Sequence, residues 1–251
     1  MTILRRLFSL TSLVFLFLFA PAIFAANKGK AVASREMVSA APVTASNSAA
    51  AIDAESNSMY EEMGLSATGL AKTAFTLAYR GYKNLVNKGA VRHENIITVA
   101  DFSQSSRKKR LYIIDVENKD VIMQTYVAHG RNSGKEFAKS FSNKLSSLKS
   151  SLGFYITKGT YFGEHGLSLR IEGVDRGFND NAYRRAVVVH GADYLGESFV
   201  QNNPFSGRSW GCPAVPARQS KEIINTIKDG TVMFIYHPSQ QYLKKSRILN
   251  S

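Results

Sequence analysis

Two periodicities divide the chain. From Tyr60 to Lys88 the apolar residues Leu70, Leu77, Tyr79, Tyr82 and Leu85 recur at helical spacings, which predicts one or two packed helices. Gly81 and Gly89 are the expected break points. Further along, the period shortens to that of strands. IITVADF from Ile96, RLYIIDV from Arg110, VIMQTYVAHG from Val121 and LGFYIT from Leu152 are short runs rich in β-branched and aromatic residues. LSLRIEG from Leu167, RAVVVHG from Arg185 and TVMFIY from Thr231 complete the set. The segment ENKD from Glu117 suits a hairpin turn, and Ile223, Ile224 and Ile227 mark a short helix between Pro216 and Asp229, closed by Gly230. Many short strands with helices at the start and one late in the chain imply a mostly β, α+β fold with a sandwich-like core.

The first residues follow neither pattern. Arg5 and Arg6 precede an apolar centre from Leu13 to Ala20, and Ala22 or Ala25 offers a small residue before a cut. That is the layout of a cleaved secretory signal peptide over residues 1–25. The apolar run is shorter than the ~20 residues a spanning helix needs. Residues 26–58, rich in Ala, Ser, Val and Asn, read as a flexible tether. A helical segment follows over 59–90, then a catalytic domain over 91–240 and a basic C-terminal tail over 241–251.

Charge and cysteine content narrow the function. Without Arg5 and Arg6, 30 basic residues face 19 acidic ones, a net +11. Such a surface favours anionic polymers of the cell envelope, and export argues against nucleic acid as partner. A single cysteine, Cys212, excludes an intramolecular disulfide. A lone thiol in an oxidising compartment is either a small buried apolar residue or a group retained for its chemistry.

The segment from His190 to Pro216 favours chemistry. His190 closes the apolar run Val187–Val189, so its side chain is expected at a strand end facing a cleft. Cys212 lies in the turn Ser209-Trp210-Gly211-Cys212-Pro213. Gly211 can take backbone angles closed to other residues, and Pro213 biases Cys212 toward an extended conformation. A turn of this kind can present sulfur and backbone N–H groups together, as acyl transfer requires. A nearby imidazole can then take the thiol proton.

His-Gly, a loop, then Ser-x-Gly-Cys resembles the signature of the murein L,D-transpeptidase catalytic-domain family (YkuD-type). VAHGRNSG, FSN, SSLGFYIT, YFGEHGLSLR and GRSWGCPAVP extend that resemblance from about Ile96 to Tyr236. It implies Cys212 as nucleophile, His190 as base, Ser209 and Gly211 as shapers of the turn, and the Gly211 and Cys212 amides as oxyanion donors. A backbone carbonyl often orients the histidine in this family. Two departures stand out: Trp210 replaces a common histidine, and Ala214 a common arginine two positions after the cysteine. Arg208 is a candidate substitute for that arginine, His165 and His129 are candidate substrate contacts, and Trp210 a candidate pocket wall.

Other motifs carry less weight. Gly207 to Gly211 fits the G-x-S-x-G elbow of serine hydrolases, yet Asp229 and His237 follow too closely to complete that fold. Ser106 to Lys109 and Ser146 to Lys149 fit S-x-x-K, without a following K-T-G. The five histidines stand singly, with no metal-ligand spacing. The resemblance therefore implies an exported enzyme, periplasmic or wall-associated, without metal or organic cofactor. It would form a thioester with a peptidoglycan stem tetrapeptide and release D-alanine. The acyl group would pass to a stem amine as a 3–3 cross-link, to water as in an L,D-carboxypeptidase, or to an envelope protein lysine. The rival from another class is a non-catalytic basic wall-binding protein.

Overall fold

The computed structural model describes residues 45–251. The expected signal peptide and the tether up to residue 44 lie outside these residues. Helix α1 (Ala45–Glu62) is followed by a single turn, α2 (Leu65–Thr68), and by α3 (Lys72–Asn87). The second half of the expected tether is thus helical. Its physical reason is tertiary: Ile52, Met59 and Tyr60 join a core with Phe75, Ala78 and Tyr79 of α3, and the Tyr60 hydroxyl donates to the Leu70 carbonyl at 2.6 Å. Low intrinsic amphipathicity is outweighed by a helix partner that buries one side.

Gly81 is not a break point. It lies inside α3, where the Phe154 ring occupies the space a Cβ would fill. Gly89 does end the helix, at φ +66°.

Eight strands form one mixed sheet, and the molecule is α+β. They are β1 (Ile96–Asp101), β2 (Leu111–Asp115), β3 (Asp120–Thr125), β4 (Gly153–Gly163), β5 (Gly166–Gly173), β6 (Val188–Ala192), β7 (Ala214–Pro216) and β8 (Val232–Tyr236). Their order across the sheet is β3-β2-β1-β8-β4-β5-β6-β7. Pairings are antiparallel except β1 with β8 and β6 with β7. Strands β1, β2 and β8 are buried along their whole length, as expected where helices cover one face and loops the other. The three remaining helices are α4 (Glu197–Asn202), α5 (Ala217–Ile227) and α6 (Gln240–Lys245). Helix α5 buries Ile223, Ile224 and Ile227, the three residues that predicted it.

The last eleven residues are not a loose basic tail. Tyr242 is fully buried and donates to Asp175 Oδ2 at 2.8 Å, Ser246 donates to Asp175 Oδ1 at 2.6 Å, and Ile248 and Leu249 are buried too. Lysines 244 and 245 and Arg247 point to solvent around this apolar stripe. No helix among the described residues is long and apolar enough to cross a membrane.

Two features of the sheet place the candidate site. Strand β4 pairs with β8 only from Gly153 to Ile156, so its outer half continues as a hairpin with β5 whose turn carries His165, while β5 pairs on its other side with β6 and sets Ser168 opposite His190. The parallel β6–β7 register sets His190 opposite Ala214. That brings Cys212, two residues before Ala214, alongside β6.

Candidate active site

The turn that carries Cys212 is held by one hydroxyl. Ser209 Oγ accepts from the Gly211 amide at 3.0 Å and donates to the Cys212 carbonyl at 2.6 Å. Ser209 is itself fixed by two backbone bonds, Ser209 N to His129 O at 3.0 Å and Arg131 N to Ser209 O at 2.8 Å. Gly211 takes φ +127°, and any side chain there would meet the Lys149 carbonyl at 2.8 Å. The turn therefore needs glycine for both conformation and space. Because its hydrogen is committed to Ser209, the Gly211 amide is not a free oxyanion donor, contrary to the sequence expectation. The Cys212 amide has no partner among the described residues and remains available. The same bonds remove Ser209 from contention as an elbow serine.

The Cys212 side chain is half-buried. Its sulfur lies 3.7 Å from the Ala186 carbonyl, which a left-handed turn at Ala186, φ 52°, aims at it. Burial pushes the thiol pKa up, while the Val188 amide and the Arg185 guanidinium pull it back. Tyr194 faces the same sulfur and is pushed up to about 12, first by burial and then by Cys212.

His190 is buried on β6, with Nδ1 2.9 Å from the Gly191 carbonyl. A carbonyl only accepts, so Nδ1 carries the hydrogen and Nε2 is left as a base. Burial lowers the His190 pKa, the Gly191 carbonyl opposes this, and His165 lowers it further. The His165 ring lies over that of His190, with centroids 4.2 Å apart. At rest both thiol and imidazole are thus held toward their neutral forms.

Other expected contacts sit elsewhere. Arg208 Nη1 donates to the carbonyls of Arg131 at 3.2 Å and Gly134 at 3.1 Å, and its guanidinium lies over Phe205 at 5.2 Å. Much of its donor capacity is spent on the segment after β3. Trp210 is 74% exposed and borders a surface hollow with Phe205, Arg208 and Arg131. His129 is no substrate contact: it is buried, with Nδ1 2.8 Å from Arg110 Nη2. A hollow of about 670 Å³ lies beside Lys109, Tyr126, Glu197 and Gln219. It does not include Cys212 or His190.

One residue of the site was missed in the sequence. Arg185 looked like the opening of a strand, but β6 begins only at Val188. Its guanidinium is a ring-side neighbour of the turn, 3.2 Å from where a Gly211 Cβ would stand. The available signal was an arginine five residues before His190, at the mouth of an otherwise apolar run. Position 214, where the resemblance expects arginine, is fully buried alanine, bonded through its carbonyl to Ala128 N at 2.9 Å.

A family profile described as L,D-transpeptidase catalytic domain matches residues 66–236, so the match takes in most of α2, all of α3 and all eight strands. No curated protein matches the chain. Among solved structures, it is similar to an L,D-transpeptidase from Mycobacterium smegmatis at 12% identity and TM-score 0.35, over 57% of this chain and 59% of that one. The helical cell shape determining protein Pgp2 from Campylobacter jejuni is similar at 11% identity and TM-score 0.38, over 68% of this chain and 59% of that one. An L,D-transpeptidase from Xylanimonas cellulosilytica is similar at 15% identity and TM-score 0.33, over 61% of this chain and 68% of that one. The chain spans about 59% of the length of the first two.

Proposed function

The chain belongs to the L,D-transpeptidase catalytic-domain family, and from that premise we propose that it is an exported cysteine acyltransferase acting on peptidoglycan stem peptides. The observation that supports the reading is the β6–β7 register, which pairs His190 with Ala214, two residues after Cys212, together with the Gly191 carbonyl contact of Nδ1 that leaves His190 Nε2 as a base.

In the proposed reaction His190 Nε2 takes the Cys212 proton as the sulfur attacks the carbonyl of the third, L-configured residue of a tetrapeptide stem. The Cys212 amide donates to the oxyanion. The C–N bond to the terminal D-alanine then breaks, and His190 returns the proton to the leaving amine. A second amine attacks the thioester, loses its proton to His190 and expels the thiolate, giving a 3–3 cross-link. Water in place of that amine gives L,D-carboxypeptidase activity, and a protein lysine gives an anchored envelope protein. Signal-peptide cleavage delivers the enzyme to the periplasm or wall, and the basic surface favours retention on anionic polymers.

The test is intact-protein mass after incubation with a disaccharide tetrapeptide and, separately, a carbapenem. Wild type is expected to gain a covalent adduct and release D-alanine, and folded Cys212→Ser and His190→Ala to do neither. Folded wild type that gains no adduct and releases no D-alanine would return the protein to the wall-binding reading. Muropeptide products identify the acceptor: tripeptide alone means water.

A further inference from the structure

Arg185 is built into the site more rigidly than a substrate-gripping side chain would be. Nη1 donates to the Ser142 carbonyl at 2.8 Å and to Ser151 Oγ. Nη2 donates to the Lys149 carbonyl at 2.6 Å and to Ser147 Oγ at 3.2 Å. Four of its five N–H groups are spent on neutral oxygens, so little is left for a carboxylate of the substrate. No carboxylate pairs with it among the described residues. A half-buried cation without an anion is costly, and the fold holds this one against the Cys212 turn.

We propose that Arg185 is a fixed positioning cation that stabilises the Cys212 sulfur as it becomes a thiolate, acting through space rather than as a binding hand. The inference rests on the reading of Cys212 as nucleophile. Around the sulfur stand Arg185 and Ala186 from the preceding loop, Val188 from β6, and Tyr194 beyond it, while His190, two residues on from Val188 along β6, lies opposite Ala214. Among the described residues, the titratable groups that act on the guanidinium are Tyr155 of β4 and Cys212 itself. The Lys149 ammonium turns away to Ser140 Oγ at 2.7 Å. A tyrosine that remains protonated leaves the thiolate as the one anion the site can offer this charge.

The position explains a chemical need. Burial disfavours the thiolate, and burial also holds His190 toward its neutral form, so the imidazole alone is a weak source of compensating charge. A permanent cation supplies it at every pH the protein meets. The Ala186 turn then serves as a hinge between the two, putting its carbonyl on the thiol hydrogen and its neighbour's charge behind the sulfur.

The experiment is the pH dependence of Cys212 alkylation by iodoacetamide, which needs no substrate, on the full chain. Arg185→Met is expected to raise the midpoint by about one unit and to slow alkylation about tenfold at pH 7, while Arg185→Lys stays near wild type. Because Arg185→Met also cuts four loop bonds, Ser147→Asp supplies a variant that keeps the side chain and neutralises its charge, and it is expected to shift the midpoint the same way. Unchanged midpoints in folded Arg185→Met and Ser147→Asp overturn the proposal, as does an Arg185→Lys shift as large as that of Arg185→Met. Carbapenem acylation of wild type is read in parallel. Acylation with unmoved midpoints sinks the role of Arg185 alone, and moved midpoints without acylation sink the transpeptidase reading alone.

Discussion

The imidazole of His165 lies nearly flat on that of His190, centroids 4.2 Å apart and planes 20° from parallel. One ring comes from the turn of the β4–β5 hairpin and the other from β6, so the hairpin turn covers the His190 imidazole. Two imidazoles this close resist sharing positive charge. Burial is the first cause of the lowered His190 pKa and His165 adds to it. A base must be neutral, so activity is lost as pH falls through the depressed value. His165→Ala removes both the cover and the repulsion, and the His190 pKa then rises toward its ordinary 6.5. The acid limb of the carbapenem acylation rate against pH is expected to move to higher pH, with the plateau lowered less than the limb is shifted. An unmoved limb would contradict this coupling.

Ser209 is the keystone of the Cys212 turn. Ser209→Ala leaves the buried Gly211 N–H without an acceptor, which costs about 1–3 kcal/mol. It also frees the Cys212 carbonyl, and misplacing the sulfur by ~1 Å costs on the order of a hundredfold in rate. Acylation is therefore expected to fall further than stability does, and Ser209→Thr to retain most of both. Paired urea denaturation and adduct mass spectrometry separate the two effects.

Much of this site was legible because its residues are local in sequence. Cys212, Ser209 and Gly211 share one turn, and His190 announces itself by following an apolar run, although β6 continues to Ala192 and so carries it in mid-strand rather than at the expected strand end. Arg185 did not announce itself, because its role depends on loops at Ser142 to Ser151 that no short-range pattern connects to residue 185. The Gly211 amide was misread for a related reason: a glycine's freedom is visible in sequence, but the hydroxyl that captures its hydrogen is a matter of three-dimensional aim. The strands of the fold were readable from period and composition, whereas three-residue β7 has no period at all. Helix α1 was hidden because its apolar residues are sparse, and only packing on α3 makes them count.

Gly81 shows how packing overrides propensity. In an exposed helix, Gly→Ala stabilises by about 1 kcal/mol. Here the new methyl would enter the Phe154 ring, which cannot retreat because it stacks on Phe234 at 4.2 Å. Overpacking of this kind costs about 1–3 kcal/mol, so Gly81→Ala is expected to lower stability. In a Phe154→Leu background the sign is expected to reverse, and the double-mutant cycle measures the clash directly.

The C-terminal segment should behave as core. Tyr242→Ala is expected to cost about 3–5 kcal/mol, since it empties a fully buried site and strips Asp175 of a donor. Tyr242→Phe keeps the ring and should cost only about 0.5–1.5 kcal/mol. Urea midpoints check both, and equal costs for the two variants would mean that the hydroxyl, not the ring, holds the segment.

His129 sets a different pH dependence, of stability rather than rate. Burial, then the neighbouring Arg110 charge, lowers its pKa from 6.5 to about 3. Burial also lowers Arg110, to about 9, which still leaves it charged at neutral pH. The unfolded chain therefore binds a proton at His129 near pH 6.5 that the folded chain refuses until about pH 3. The stability it contributes is whole above 6.5 and is lost as pH falls between those values, at up to about 1.4 kcal/mol per pH unit. His129→Gln can still accept from Arg110 Nη2 and does not titrate. Its unfolding free energy should thus decline less steeply than wild type's from pH 6.5 to 4, by about one proton's worth of slope. Parallel curves in urea titrations across that range would show that His129 is protonated in the folded protein, in conflict with its place beside the Arg110 guanidinium.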